Sequence, residues 1–326
     1  SSVFRDATKI EYQFPAKSKA EGRNAQLRIY PNAMGHVARA VEGLLEKPHG
    51  CGEQTTSSTY PNLLILMFAN ENEGAINPAL RTRAERFVND GYQRLLGYQT
   101  PSGGFAYWGR NDRPNAVLTA YILRFLADAD EFIEVDESVV ERAENWLLKS
   151  NPASDLSDVE IASMYRSLAM AGINDSTIRQ QVKDNISDFA RKTSVYNDTF
   201  VTANLALAAF ELGETELAKQ LAARLTESAL RAGDDVYWNA DKTATYGWGA
   251  AAQIETTAIA LQALIAIADL KDPKVRDLVA GANLYLLKSK DKDGVWRSTQ
   301  TTIHVLTALI ELQRKVDAQS PAISAR

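Results

Sequence analysis

Ala258-Ile259-Ala260-Leu261-Gln262-Ala263-Leu264-Ile265-Ala266-Ile267-Ala268 carries a single polar side chain. At 3.6 residues per turn, its apolar groups cover nearly every side of a helix instead of one stripe. Such a helix must be covered on two faces, which requires an inner layer of helices with others outside it. Leu205-Ala206-Leu207-Ala208-Ala209-Phe210-Glu211-Leu212 reads the same way. Working outward, periodicity and breakers predict about twelve helices. They fall near 35–47, 51–71, 77–98, 115–130, 136–150, 156–171, 174–191, 198–212, 214–231, 252–268, 272–289 and 299–315. Asp136 and Asn197-Asp198 offer N-caps, and Gly172 and Gly213 offer stops.

Three loops place glycine and aromatic residues just before a helix. They are Ser102-Gly103-Gly104-Phe105-Ala106-Tyr107-Trp108, Tyr246-Gly247-Trp248-Gly249 and Asp293-Gly294-Val295-Trp296. Paired helices whose second member is buried predict an all-α chain folded as an α/α toroid of six helical hairpins. An open α-solenoid is the alternative, but an open array needs polar terminal caps. Residues 1–33 differ. Lys9-Ile10-Glu11-Tyr12-Gln13-Phe14 and Gln26-Leu27-Arg28-Ile29-Tyr30 alternate in polarity and predict two strands. The expected organisation is a β flank over 1–33, the toroid over 34–316 and a tail over 317–326.

With 36 Lys and Arg against 41 Asp and Glu, the net charge of −5 argues against a nucleic-acid partner. The longest unbroken apolar run, 63–69, is too short to span a bilayer. Ser1 in place of an initiator Met leads us to expect a fragment or a mature form. The single cysteine, Cys51, excludes an internal disulfide and a cysteine-cluster zinc site. No histidine pair has metal-ligand spacing, so neither a metal nor a cofactor is expected.

That cysteine sits in Pro48-His49-Gly50-Cys51-Gly52-Glu53-Gln54-Thr55-Thr56. Cys51 and Gln54, at i and i+3, share one side of a first helical turn. Gly52 between them can take a tight backbone, and a helix N-terminus stabilises a thiolate. Gly50-Cys51-Gly52-Glu53-Gln54 resembles the thioester motif of the alpha-macroglobulin and complement thioester proteins. The lead-in from Glu21-Gly22-Arg23 to Pro48 resembles that family's passage out of a CUB-like domain. Gly104-Phe105 with Leu118-Thr119-Ala120-Tyr121, Gln253-Ile254-Glu255-Thr256-Thr257-Ala258, and Trp296-Arg297-Ser298-Thr299-Gln300-Thr301-Thr302 resemble its downstream signatures, with Arg297 for Ser and Thr301 for Asp. The run 55–62 and the scarcity of cysteine look more like bacterial members.

The resemblance implies an internal thioester between Cys51 and Gln54, supported by Gly50, Gly52 and Glu53. It implies a domain of a larger secreted or periplasmic protease inhibitor. After bait cleavage the exposed acyl group captures the protease through a Lys side chain. This is single-turnover capture, so the chain is not expected to be an enzyme. Other domains of the parent are the expected neighbours, and the isolated domain is expected to be a monomer with a free Cys51 thiol.

Tyr60, Tyr107, Trp108, Trp248, Trp296 and His304 are candidates for the rim or pocket, with Trp238 also weighed; loop tryptophans as often pack on their own domain. Some complement members use a histidine on a separate hairpin to attack the thioester. The corresponding region, 146–172, has none. His36 reads as structural, and His49 as either a cap or a neighbour of the site. Asp128-Ala129-Asp130-Glu131 reads as a solvated turn. Two other functions remain open: a complement-like opsonic fragment that tags surfaces and binds a receptor, and a terpene cyclase or prenyltransferase on the same toroid. The cyclase would need an acid motif or zinc triad in an open apolar barrel.

Overall fold

The computed structural model describes residues 13–14, 41, 43–72, 74, 76–149, 155–192, 198–245, 247–291 and 295–319. The expected β flank lies almost wholly outside these residues, as does the start of the helix near 35–47, with His36; its expected end is not helical, for residues 43–44 form a turn and 45–47 run on irregularly toward the Cys51 loop.

Eleven helices are described: α1 Gly52–Glu71, α2 Pro78–Leu96, α3 Ala116–Ala129, α4 Glu137–Lys149, α5 Asp158–Met170, α6 Ser176–Ala190, α7 Thr199–Glu211, α8 Thr215–Ser228, α9 Ala250–Ile267, α10 Pro273–Lys288 and α11 Thr299–Gln319. Their starts follow from local chemistry. Asn77, Asn115, Asp175, Asp198 and Asp272 each accept a hydrogen bond from an N–H of the first turn, satisfying donors that a helix start leaves open.

The ring closes. Inner helix packs on inner helix in the order α1–α3–α5–α7–α9–α11 and back to α1, with α2, α4, α6, α8 and α10 outside. Starts meet starts and ends meet ends. Near the beginning of α1, Gly52 N–H donates to Tyr107 O at 2.8 Å in the loop before α3, and Gln300 Nε2 of α11 donates to Ser57 Oγ at 3.3 Å. At its end, Arg314 pairs with Glu71 at 2.7 Å. The inner helices therefore run in parallel, the first five each returned by an outer helix, and their N-termini share one end of the ring; the outer partner of the expected sixth hairpin is not among the described residues.

Burial follows this order. In α7 and α9 nearly every residue is buried, whereas α4 buries only Val139, Ala143, Glu144 and Leu147. By length and composition α9 could cross a membrane, with a mean hydropathy of 1.5. Here 72% of it is buried as an inner wall, the environment that an all-round apolar helix requires.

Two details depart from expectation. The chain leaves α8 at Ser228, and Leu230–Ala232 pairs antiparallel with Asp235–Tyr237, where a helix was expected to reach 231. Gly233, at φ +61°, supplies the first position of a two-residue hairpin turn. Gly281 on α10 leaves room for it, since a Cβ there would lie 2.4 Å from Val236 Cγ2. The second departure is α11, which runs to Gln319 and so enters the expected tail.

Two of the glycine-aromatic loops, and the segment after the hairpin that precedes the third, share a joint. Phe105, Trp238 and Trp296 each donate their backbone N–H to a threonine hydroxyl of the following inner helix: Thr119 at 2.8 Å, Thr257 at 3.1 Å and Thr302 at 3.0 Å. Two also anchor the outer helix behind them, as Trp238 Nε1 donates to Leu225 O and Trp296 Nε1 to Leu286 O. The downstream signatures therefore carry architecture: an aromatic plug and a threonine that receives it.

Candidate functional site

Cys51 is the N-cap of α1, in extended conformation at φ −75° and ψ −178°. Gln54, three residues on, folds its side chain back so that Oε1 accepts the Cys51 N–H at 3.1 Å. The Cys51 side chain meets the Gln54 N–H in return, which completes a capping box with cysteine in the usual place of serine. The fold that starts the helix thus holds the Gln54 carboxamide against the cysteine. Cys51 is buried and Gln54 is exposed, so the thiol side is enclosed and the carboxamide side is open.

The two glycines have different jobs. Gly50 has the left-handed φ of +78°, and a Cβ there would lie 2.1 Å from Gln54 Oε1. Gly52, expected to supply the tight backbone, is instead the first helical residue. Its lack of a side chain admits the neighbouring loop, for a Cβ would sit 2.9 Å from Ala106 O.

The motif loop is tied down from several sides. Gly50 O accepts from Tyr98 OH at 2.7 Å and from Arg94 Nη2 at 3.0 Å. His49 N–H donates to Ser58 Oγ at 3.2 Å, while its ring pairs in the open with Glu46 at 2.9 Å. Asn62 grips Glu46 at both backbone groups, accepting from N–H at 3.2 Å and donating to O at 2.8 Å. Glu53 accepts from Ser57 Oγ at 2.7 Å, and Ser57 also meets Tyr121 OH at 3.3 Å. The sequence reading missed Arg94 and Tyr98, and it quoted Asn62 and Tyr121 only within stretches that resemble the family, without a place at the site. None lies in the motif, and only folding brings Arg94 and Tyr98, 44 and 48 residues from Gly50, onto its carbonyl.

The rim candidates divide. Tyr107 is half-buried and gives its carbonyl to Gly52, while Trp108 and Trp248 stand out at 76% and 79% exposure on loops at the same end of the ring. Trp296 is buried as the plug described above, and Tyr60 is buried in the middle of α1. Tyr60 stacks on Tyr121 at 6.1 Å and donates its hydroxyl to Asp128. Asp128 therefore turns inward, whereas Asp130 and Glu131 are exposed as expected of a turn.

His304 also lies inside the ring. Arg124 Nη1 is 3.1 Å from its Nδ1, and Glu255 Oε1 is 3.7 Å from its Nε2. Burial, then the Arg124 and Arg166 charges, push its pKa well below the usual value, so the ring is neutral and can accept from Arg124. Glu255 is buried as well. Its pKa is pushed up to about 7, chiefly by burial, against hydroxyls of Thr243 and Thr245 that favour its charged form. Through those threonines, at 3.3 and 3.4 Å, it holds the loop that carries Trp248.

No group of histidine, cysteine and carboxylate among the described residues is arranged to hold a metal. The sequence model of the A-macroglobulin TED domain matches residues 27–179 and again 159–312, reaching from before the Cys51 loop into α11. With most of its length matched and its ring closed, the chain belongs to the A-macroglobulin TED domain family.

Proposed function

We propose that Cys51 and Gln54 form an internal thioester and that the chain acts by covalent capture. The Cys51 sulfur bonds to the Gln54 side-chain carbonyl carbon, and ammonia leaves. An incoming amine then attacks that carbon, the thiolate departs, and an amide to residue 54 remains. The observation that carries this reading is the capping box: the Gln54 carbonyl oxygen already lies 3.1 Å from the Cys51 N–H. Backbone N–H groups at the helix start would stabilise negative charge on the tetrahedral oxygen and on the departing sulfur.

Family membership suggests a domain of a larger macroglobulin-like protein in an extracellular or secreted setting. Within that parent we assign the role of trapping proteases through their lysines, in one turnover and without catalytic release. The polar side chains in the ring interior, among them Tyr60, Arg124, Arg166 and His304, disfavour the prenyl-chain alternative.

Intact mass of the parent protein, before and after methylamine, tests the reading. The native chain should be lighter than its sequence by one ammonia. Methylamine should restore mass at Gln54 and release one thiol, and C51S should do neither. A parent with a free Cys51 thiol from the outset and no uptake of methylamine would sink the proposal.

A further inference from the structure

The Gly50 carbonyl and the Cys51 N–H belong to one peptide group, so they point to opposite sides of one plane. The N–H end faces Gln54 Oε1 at 3.1 Å. The carbonyl end is held from outside the motif, by Tyr98 OH at 2.7 Å and Arg94 Nη2 at 3.0 Å; Thr55 Oγ1 is more distant at 3.4 Å. Turning this plane over would carry the Cys51 N–H away from Gln54 and bring a carbonyl toward it.

The hold is needed because position 50 must be glycine. A Cβ there would lie 2.1 Å from Gln54 Oε1, and φ is +78°. Glycine visits both signs of φ readily, so by itself it leaves the adjoining peptide plane free to turn. The clamp comes from a neighbouring element: Arg94 lies in the last turn of α2 and Tyr98 just beyond it. Tyr98 is fixed in turn, as its N–H donates to Leu95 O at 2.9 Å and its carbonyl accepts from Ala106 N–H at 3.0 Å.

The other backbone donors of the motif are engaged elsewhere. Gly52 N–H goes to Tyr107 O, and Gln54 N–H meets the Cys51 side chain. Of these three, the Cys51 N–H is the one that faces the Gln54 oxygen. An amide whose oxygen accepts from a guanidinium and a phenol is polarised, and its N–H becomes a stronger donor.

We infer that Arg94 and Tyr98 are positioning residues for the capture chemistry: by holding the Gly50 carbonyl they aim the Cys51 N–H at the Gln54 side-chain oxygen. This assignment rests on the thioester reading above. When the thioester forms, a C–S bond replaces the C–N bond of the carboxamide, and ammonia carries off the thiol proton. When an amine is captured, its C–N bond replaces the C–S bond, and its proton passes to solvent as the thiolate departs. Both steps place negative charge on the same oxygen, so one aimed donor serves both.

Two measurements test this. Cysteine labelled on its nitrogen gives one NMR amide signal in the whole chain, because Cys51 is the single cysteine. Q54A removes the acceptor and should move that signal upfield. R94M/Y98F should move it the same way and speed its exchange with solvent about tenfold, while helicity and melting stay near native. Where the double variant does not fold, Y98F, which removes one hydroxyl, takes its place. In the parent protein, methylamine uptake per thioester should slow about tenfold in Y98F and about a hundredfold in R94M/Y98F, and R94K/Y98F should recover part of the loss. R81M, which alters an arginine on the same helix that pairs with Glu85, should react as native. An unmoved amide signal or native uptake in R94M/Y98F overturns the inference. A native parent without a thioester defeats the capture reading instead, and the amide signal still decides whether Arg94 and Tyr98 aim the Cys51 N–H.

Discussion

Asn72 and Gln313 pair their side-chain amides across the closure of the ring. Gln313 Nε2 donates to Asn72 Oδ1 at 2.8 Å, and Asn72 Nδ2 approaches Gln313 Oε1 at 3.4 Å. They are 241 residues apart, at the ends of the first and last inner helices, so the contact exists only in a closed toroid. A half-buried pair of this kind contributes about 1 kcal/mol. A double-mutant cycle with N72A and Q313A in urea should return a coupling of about that size. Independent, additive losses would show that closure rests on apolar packing alone.

Gly50 and Gly74 separate two costs. Both have left-handed φ, +78° and +77°, but a Cβ at Gly74 meets nothing within 4 Å whereas one at Gly50 strikes the Gln54 side chain. Each alanine variant pays about 1–2 kcal/mol for the backbone. G50A should in addition expel the Gln54 carboxamide and abolish methylamine uptake by the parent protein, while G74A should take up the amine normally. Normal uptake by G50A would mean that the carboxamide does not need the position seen here.

Glu255 makes a pH prediction with a definite sign. Its folded pKa of about 7 lies above the ordinary glutamate value of 4.5, so the folded state holds its proton more tightly. The associated stability is fully present below about 4.5 and is lost as pH rises through about 7. Buried His304 works the other way. Its depressed pKa costs stability as pH falls below the ordinary histidine value, about 6.5. Glu255 Oε1 lies 3.7 Å from His304 Nε2, so the two groups are coupled, and the comparison is made between H304A and H304A/E255Q, where only the Glu255 contribution differs. The difference should favour the double variant by on the order of 3 kcal/mol more at pH about 8 than at pH about 4.5. Parallel stability curves would show that Glu255 titrates normally.

Nucleophile preference follows from where the histidines are. Region 146–172 has no histidine, and His304 is enclosed with Arg124 in the ring. Without a base, hydroxyls attack poorly and neutral amines attack directly. Methylamine should outcompete glycerol at the parent's thioester, and the rate should climb above neutral pH as lysine-type amines lose protons. H304A should leave the amine-to-glycerol ratio unchanged. Hydroxylamine-labile ester adducts would contradict this, and their loss in H304A or H49A would name the base.

How much of this was legible in the sequence depends on the range of the forces involved. Helix positions were readable because caps, breakers and periodicity act within a few residues; Asn115 and Asp198 mark their helix starts locally. The inner layer was readable from 258–268, because an all-round apolar helix has no other stable place. The Cys51–Gln54 pairing was readable because a capping box lies within one helical turn. Only the tertiary structure decided closure, which rests on contacts between chain ends such as Asn72–Gln313 and Gln300–Ser57. Depth was equally hidden. Tyr60, Trp296 and His304 are buried, while Trp108 and Trp248 in similar loops are exposed, because burial depends on which neighbouring helix arrives above each side chain. The hold of Arg94 and Tyr98 on Gly50 was invisible for the same reason: it exists only once α2 has folded back beside α1.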